Sequence, residues 1–213
     1  GVVCIVIASF VRYEKNMPPK KTDETKKKLV LYEKSALFPS LALMFVALGV
    51  GSIASFIPIL SINRGIENYK VYFLVYAASL LLTRVTIGKV SDRKGPEFVI
   101  VPGIISMFLA YIAYAAATSL PILLAGGVLF GFGFGTVQPM LNVLVMQRCP
   151  KDRRGAANST FYIAMDLGVA LGALIAGAVS QYFGFKVLYI FCEIYAVMAY
   201  IIFITLVKVK AGK

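Results

Sequence analysis

The sequence has few of the residues that carry catalysis or bind metals. It contains no His and no Trp, three Cys and only 15% charged residues. Cys4, Cys149 and Cys192 form no CxxC pair, so a disulfide framework, a zinc site and His-based catalysis are all disfavoured. We therefore expect neither a metal nor an organic cofactor, and an enzyme is a poor candidate.

Apolar residues dominate instead. They make up 59% of the 213 residues and give a mean hydropathy of +0.81, whereas soluble domains average about 45–50%. A bilayer core about 30 Å thick needs roughly 20 apolar residues of helix. Runs of that length, with at most one charged residue each, cover 36–63, 71–88, 98–147, 156–185 and 187–207. The run 98–147 is long enough for two spans, with a break near Pro121. We predict an all-α membrane protein with a six-helix bundle over residues 36–207.

The segments outside this bundle suggest a longer protein. Residues 1–11 are apolar but too short to span a bilayer, so they are interpreted as the end of a preceding helix. Residues 12–35 are polar and Lys-rich and are expected to form a loop, and 208–213 a tail. A chain cut from a longer membrane protein is the simplest account. A six-helix unit that pairs with a second copy is the alternative.

The basic residues are distributed unevenly over the two ends of the predicted helices. One side holds 18 of the 22 Lys and Arg, in 12–35, 89–94, 148–154 and 208–213, and the other holds three. Short loops rich in Lys and Arg stay in the cytoplasm. This places residues 12–35 and the C-terminus in the cytoplasm. It also explains the net charge of +12 without nucleic acid.

Three ionisable residues lie inside predicted spans, where each costs free energy and needs a reason. Asp166 lies near the middle of its span, where a carboxyl group pairs with a cation, binds a cationic substrate, or stays protonated. A group that can be neutral or charged suits a proton-coupled carrier, and the alternative is a protonated Asp166 that hydrogen-bonds a neighbouring helix. Glu193 is a second candidate proton site, or it extends outward to the membrane surface, or it bonds a neighbour such as a Tyr hydroxyl group. Arg84 either extends to the cytoplasmic interface or pairs with a carboxylate at a gate.

Uncharged polar residues in the spans favour a hydrated cavity. Gln138 and Asn142 are spaced i, i+4 and share one helical face. Ser52, Ser55 and Ser79 could add hydroxyl groups to the same cavity.

Small residues recur at four-residue spacing, which is typical of close helix contacts in membranes. Gly127, Gly131 and Gly135 form one such row, and Gly168 and Gly172 begin another. Tight packing and a sliding interface both require this arrangement, so the pattern does not separate them.

The loop 88–97 resembles the cytoplasmic signature of the major facilitator superfamily, Gly-x-x-x-Asp-Arg/Lys-x-Gly. Gly88, Asp92, Arg93 and Gly95 match it, and Pro96 and Glu97 replace the usual basic residues. The segment 150–160 resembles the connection between helices ten and eleven of such carriers. Asp166-Leu167-Gly168 is similar to helix eleven of bacterial drug and metabolite proton antiporters.

This resemblance implies the C-terminal half of a twelve-helix carrier: the end of helix six, the central loop and helices seven to twelve. Helices seven, eight, ten and eleven would line the cavity, which brings Asp166, Gln138 and Asn142 together and leaves Glu193 on a peripheral helix. Arg84 and the matched loop residues would act at the cytoplasmic gate.

The expected function is proton-coupled efflux of small molecules by alternating access in a bacterial cytoplasmic membrane. The expected partners are the lipid bilayer, a small-molecule substrate, protons and an N-terminal six-helix half. A non-transporting membrane scaffold and a self-dimerising half-transporter are the alternatives.

Overall fold

The computed structural model describes residues 33–208, and all regular structure in that range is helical. Five helices are long and apolar enough to cross a membrane. They are α1 (Leu37–Asn63), α2 (Val71–Lys94), α3 (Pro96–Ala116), α4 (Leu120–Arg148) and α5 (Arg154–Ile202). Short helical turns at Lys34–Ala36, Lys151–Arg153 and Phe203–Lys208 flank them. The predicted all-α membrane fold is confirmed for this part of the chain. The segments assigned to residues 1–11, most of 12–35 and most of the C-terminal tail lie outside the described residues.

The helix boundaries follow from local sequence. Gly95 has φ of +84°, a conformation that glycine adopts without strain, and it separates α2 from α3. Pro96 then occupies the first turn of α3, where its missing N–H is not needed. Pro121 has the same role in α4, at the predicted break in the run 98–147.

Helix α5 is two membrane spans joined at a sharp reversal. Its 49 residues would measure roughly 74 Å if straight, more than twice the bilayer core. Gly184, with φ of +78° and ψ of 171°, interrupts it. The first arm (154–183) runs beside α1, because Gly168 lies against Met44 and Gly177 near Phe56. The second arm (185–202) returns along α3.

Glycines set the contact between α1 and the first arm of α5. A Cβ on Gly172 would lie 2.0 Å from the carbonyl oxygen of Leu48, so only a hydrogen fits there. Ser52 on α1 adds to this contact, because its hydroxyl group donates to the carbonyls of Leu48 at 2.9 Å and Gly172 at 3.2 Å.

Helix α4 packs on α2 with one face and on α3 with another. Gly127 faces Tyr72, Gly131 faces Ser79, and Gly135 faces Leu80, so α2 and α4 run in parallel. We call this contact the glycine seam. On another face, Gly133 contacts Gly103 and Met107 of α3.

Aromatic side chains fill the interior where the helices converge. The hydroxyl groups of Tyr72 and Tyr114 form a buried hydrogen bond of 2.8 Å. Phe130 and Tyr189 pack against Tyr114, with ring centroids 6.5 and 5.4 Å from it.

The bundle has two ends, named here after one residue each: the Arg64 end and the Arg148 end.

Candidate functional site

Polar side chains of α2 and α4 meet where the glycine seam ends. Arg84 Nη2 donates a hydrogen bond of 2.8 Å to Gln138 Oε1. Gln138 and Asn142 follow Gly131 and Gly135 on the same side of α4, because spacings of three and four residues return to one helical face. The seam that holds the helices together therefore leads into a polar surface.

The first arm of α5 extends this surface. Asn142 Nδ2 donates to Asn158 Oδ1 at 3.2 Å, which ties α4 to α5. Asn158, Tyr162 and Asp166 are spaced i, i+4, i+8, so they line one side of that arm. The residues of this surface, called the polar face below, are Arg84, Gln138, Asn142, Asn158, Tyr162 and Asp166.

Three of these groups lie at nearly the same depth. Arg84 is ten residues before the end of α2, Gln138 ten before the end of α4, and Asp166 twelve after the start of α5. At 1.5 Å per residue these positions are roughly 15, 15 and 18 Å from the Arg148 end. One cation, one amide and one carboxylate thus share a layer near the middle of the membrane.

The side of α5 that carries Asp166 differs from both its packing side and its apolar side. Successive residues turn by about 100°, which puts Asp166 about 160° from Gly168 on the α1 contact. Ile163, Leu167 and Leu174 form a third, apolar side, and they are 56%, 52% and 71% exposed. Asp166 is also exposed in the described bundle. Since ionisable groups avoid lipid, the polar face is the side suited to a hydrated cavity.

Neither charged group of that layer is in an ion pair with another described residue. The ion pairs within residues 33–208 join Arg148 to Glu97 at 3.9 Å and Arg153 to Glu33 at 3.4 Å. Both lie at the Arg148 end, where they tie α4 to α3 and the segment before α1 to the segment before α5. Within the described bundle, Asp166 and Arg84 are therefore not paired with an oppositely charged side chain.

Glu193 is separate from the polar face. It lies on the second arm of α5, in a depression of about 780 Å³ that Arg64, Ile112, Thr118 and Lys186 also line. Of the four predicted binding residues, Asp166, Gln138 and Asn142 therefore lie together on the polar face, and Glu193 lies apart from them.

Four of the five residues predicted at the gate, Gly88, Asp92, Arg93 and Gly95, lie toward the Arg148 end. Asp92 and Arg93 are exposed in the last turn of α2, and Gly95 follows directly. A Cβ on Gly88 would meet no atom within 4 Å, so tight packing does not require glycine at this position in the described bundle. Arg84 differs from the other four, because its hydrogen bond joins it to the polar face.

Two of the three serines suggested for the cavity lie elsewhere. Ser52 is buried between α1 and α5, and Ser79 donates to the carbonyl of Val128 at 2.8 Å within the glycine seam. Ser55 is exposed. The hydroxyl groups of Ser52 and Ser79 satisfy helix carbonyls, as serines in membrane helices often do.

Sequence reasoning did not single out Asn158 and Tyr162 as site residues, although their spacing from Asp166 was a usable signal. It also did not assign a role to Arg64, whose guanidinium donates to the carbonyls of Tyr114, Ala115 and Ala117. These carbonyls lie at the end of α3, which a cation stabilises, and that of Tyr114 also accepts a hydrogen bond of 3.3 Å from the N–H of Ala117. Within the described residues, no group of three or more Cys, Asp or Glu could hold a metal ion.

Comparisons with known proteins concern the family and the fold of the chain. The sequence model of the Major Facilitator Superfamily matches residues 1–161 and, in a second alignment, 40–213. An uncharacterized MFS-type transporter of Pseudomonas aeruginosa (strain LESB58) is 28% identical over 145 residues, which are 68% of this chain and 36% of the relative. The staphylopine export protein of Staphylococcus aureus (strain Mu50) is 22% identical over 163 residues, 75% of this chain and 41% of that protein.

A solved structure gives the same fold. The crystal structure of a peptide transporter, POT, in complex with sulfate matches with a TM-score of 0.71 at 18% identity. The match covers 80% of this chain and 37% of the transporter. The chain thus spans well under half the length of the proteins it matches.

Proposed function

Because the chain belongs to the major facilitator superfamily of membrane transporters, we propose that it forms one side of the pathway in a proton-coupled exporter of small molecules. The observation that carries this proposal is the polar face, with Arg84, Gln138 and Asp166 in one layer near the membrane centre. The named activity of the staphylopine export protein favours export as the direction.

Asp166 is the proposed proton-coupling group. A carboxyl group deep in a membrane is tolerated when it is neutral, and it needs water or a cation when it is charged. Protonation of Asp166 from one side and its release to the other would link proton entry to substrate exit. Its exposure on the polar face and its freedom from ion pairs within the described bundle support this role.

The amides and the phenol are proposed to contact the substrate. Gln138, Asn142, Asn158 and Tyr162 offer uncharged donors and acceptors along one surface. The bond from Arg84 orients the Gln138 amide, so that its NH₂ group is free to donate. Such a surface suits amphipathic molecules with a few polar groups.

Alternating access would come from rocking of this bundle against the rest of the carrier, around the polar face. The chain covers 36–41% of the two relatives, which leaves the opposite wall of the cavity to other residues. Gly88, Asp92, Arg93 and Gly95 would act where the two parts meet at the Arg148 end. The basic loops at that end favour a cytoplasmic location there, in a bacterial cytoplasmic membrane.

Transport by the complete gene product in proteoliposomes tests the proposal. With an amphipathic dye as the probe, an imposed pH gradient should drive flux, and a protonophore should abolish it. Asp166→Asn should lose the gradient-driven flux and keep the thermal melt, while Glu193→Gln should keep both. Unchanged flux in Asp166→Asn would refute the coupling role, and the absence of flux in wild type would favour a scaffold.

A further inference from the structure

A continuous groove runs along the outer surface between α3 and the second arm of α5, and it shares no residue with the polar face. Its first section is the depression that contains Arg64 and Lys186. The second section shares Ile190 and Glu193 with the first. The third shares Phe108 and Val197 with the second and reaches Ile104 and Tyr200. We call the three sections together the α3–α5 groove.

The length of the groove matches one leaflet of a bilayer. On α3 it extends from Ala116 to Ile104, and on α5 from Lys186 to Tyr200. At 1.5 Å per residue these stretches measure roughly 18 and 21 Å. One leaflet contributes about 15 Å to the hydrocarbon core. An acyl chain that starts at one membrane surface would therefore fill the groove along most of its length.

The mouth of the groove lies at headgroup level. Tyr182 and Phe183, just before the reversal at Gly184, are 77% and 68% exposed. Exposed aromatic residues at the end of a span are typical of the membrane–water interface. Lys186 follows three residues later, and Arg64 lies one residue after the end of α1. Both cations are therefore at the depth where lipid phosphates lie.

Arg64 is positioned in advance for such a ligand. The carbonyls of Tyr114, Ala115 and Ala117 hold its guanidinium in place. These contacts are made by Nη1 and Nη2, and a guanidinium has five N–H groups, so donors remain for an anion. Arginine pairs well with phosphate oxygens. Each basic residue near a membrane surface also strengthens the binding of anionic lipid about fivefold.

We propose that the α3–α5 groove binds one anionic phospholipid. The phosphate lies between Arg64 and Lys186, and one acyl chain runs down the apolar wall formed by Ile112, Ile190 and Phe108. Two cations at the mouth distinguish this site from the polar face, and Glu193 is the one acidic residue among those that line the groove. Glu193 lies seven residues beyond Lys186, roughly 10 Å deeper, and is not needed to hold the phosphate.

Native mass spectrometry of the complete gene product tests the site, with added phosphatidylglycerol or phosphatidylcholine as the probe. Wild type should retain one phosphatidylglycerol in preference to phosphatidylcholine. Lys186→Gln should weaken that binding about fivefold. Lys70→Gln removes the same charge at the same end but outside the groove, so it should bind like wild type. Glu193→Gln should also retain the lipid.

Arg64 has a structural role, so its test uses Arg64→Lys together with a thermal melt. A variant that melts like wild type should bind the lipid, because the charge remains. Equal retention of the two lipids by wild type, or equal phosphatidylglycerol binding by wild type and Lys186→Gln, would overturn the proposal. A dimer mass that excludes bound lipid would also overturn it, since a second copy would then cover the groove. This readout is independent of transport, so its result does not depend on the role of Asp166.

Discussion

Arg84 on α2 and Gln138 on α4 are joined by a hydrogen bond of 2.8 Å, about one helical turn beyond Gly135, the last glycine of the glycine seam. Gly131 and Gly135 bring the two helices near enough for the guanidinium to reach the amide. The packing of the helices and the geometry of the polar face are therefore linked.

A double-mutant cycle measures this link. Arg84→Ala and Gln138→Ala should each lower stability slightly, and the double variant should lose less than the sum. The expected coupling is about 0.5–1.5 kcal/mol, the usual net value of a hydrogen bond. Thermal melts in detergent provide the readout. Arg93→Ala combined with Gln138→Ala is the control and should be additive; coupling of equal size there would contradict the assignment.

Replacing Gly172 with Ala should separate α1 from α5. The new Cβ would lie 2.0 Å from the carbonyl oxygen of Leu48, and a backbone atom cannot move aside as a side chain can. We expect destabilisation of about 1–3 kcal/mol, typical of overpacking. Gly177→Ala is the matched control, since its Cβ would lie 3.7 Å from Phe56. Equal melting temperatures for the two variants would show that α1 and α5 pack less closely at Gly172 than described.

For Tyr72 and Tyr114, each single change should destabilise the protein more than the double change does. Either Tyr→Phe change leaves the other hydroxyl buried without its 2.8 Å partner, which costs about 1–3 kcal/mol. Changing both to Phe removes both polar groups and should be nearly neutral. A double variant as unstable as the sum of the single variants, measured by thermal melt, would rule out this pairing.

Loss of Arg64 should destabilise the Arg64 end of α3. Arg64→Met leaves the carbonyls of Ala115 and Ala117 without this donor, while the carbonyl of Tyr114 keeps the N–H of Ala117. The expected cost is about 1–3 kcal/mol. Lys186→Gln should not change stability in lipid-free detergent, because no hydrogen bond or ion pair joins Lys186 to another described residue. Similar destabilisation of both variants would mean that surface charge, rather than these contacts, is responsible.

The sequence predicted the spans, their breaks and the shared face of Gln138 and Asn142, since hydropathy and helical spacing are local properties. The glycine spacing likewise indicated close contacts, and Gly131 and Gly172 lie in them. The depth of a residue follows from its place along a span, which is why the position of Asp166 in the sequence was enough to make it a candidate.

The direction in which a side chain points was less predictable, because the rotation of each helix depends on its neighbours. Ser52 and Ser79 lie at a depth that suits a cavity, but their hydroxyl groups point to a neighbouring helix and bond its carbonyls. Glu193 turns toward α3, away from Asp166. The partners of Arg64 come from a segment about 50 residues later in the chain, and no local pattern indicates them.

Cysteine labelling at Tyr162 and Ile163 tests the central claim, a hydrated pathway along the polar face, most directly. The two residues are adjacent, nearly equal in depth, and 39% and 56% exposed, but they lie on different sides of α5. In a complete gene product whose native cysteines are replaced by alanine, Tyr162→Cys should react readily with a charged, membrane-impermeant thiol reagent, because thiolate forms in water. Ile163→Cys should react far more slowly, since it faces lipid. Equal rates, or faster labelling at position 163, would contradict the account.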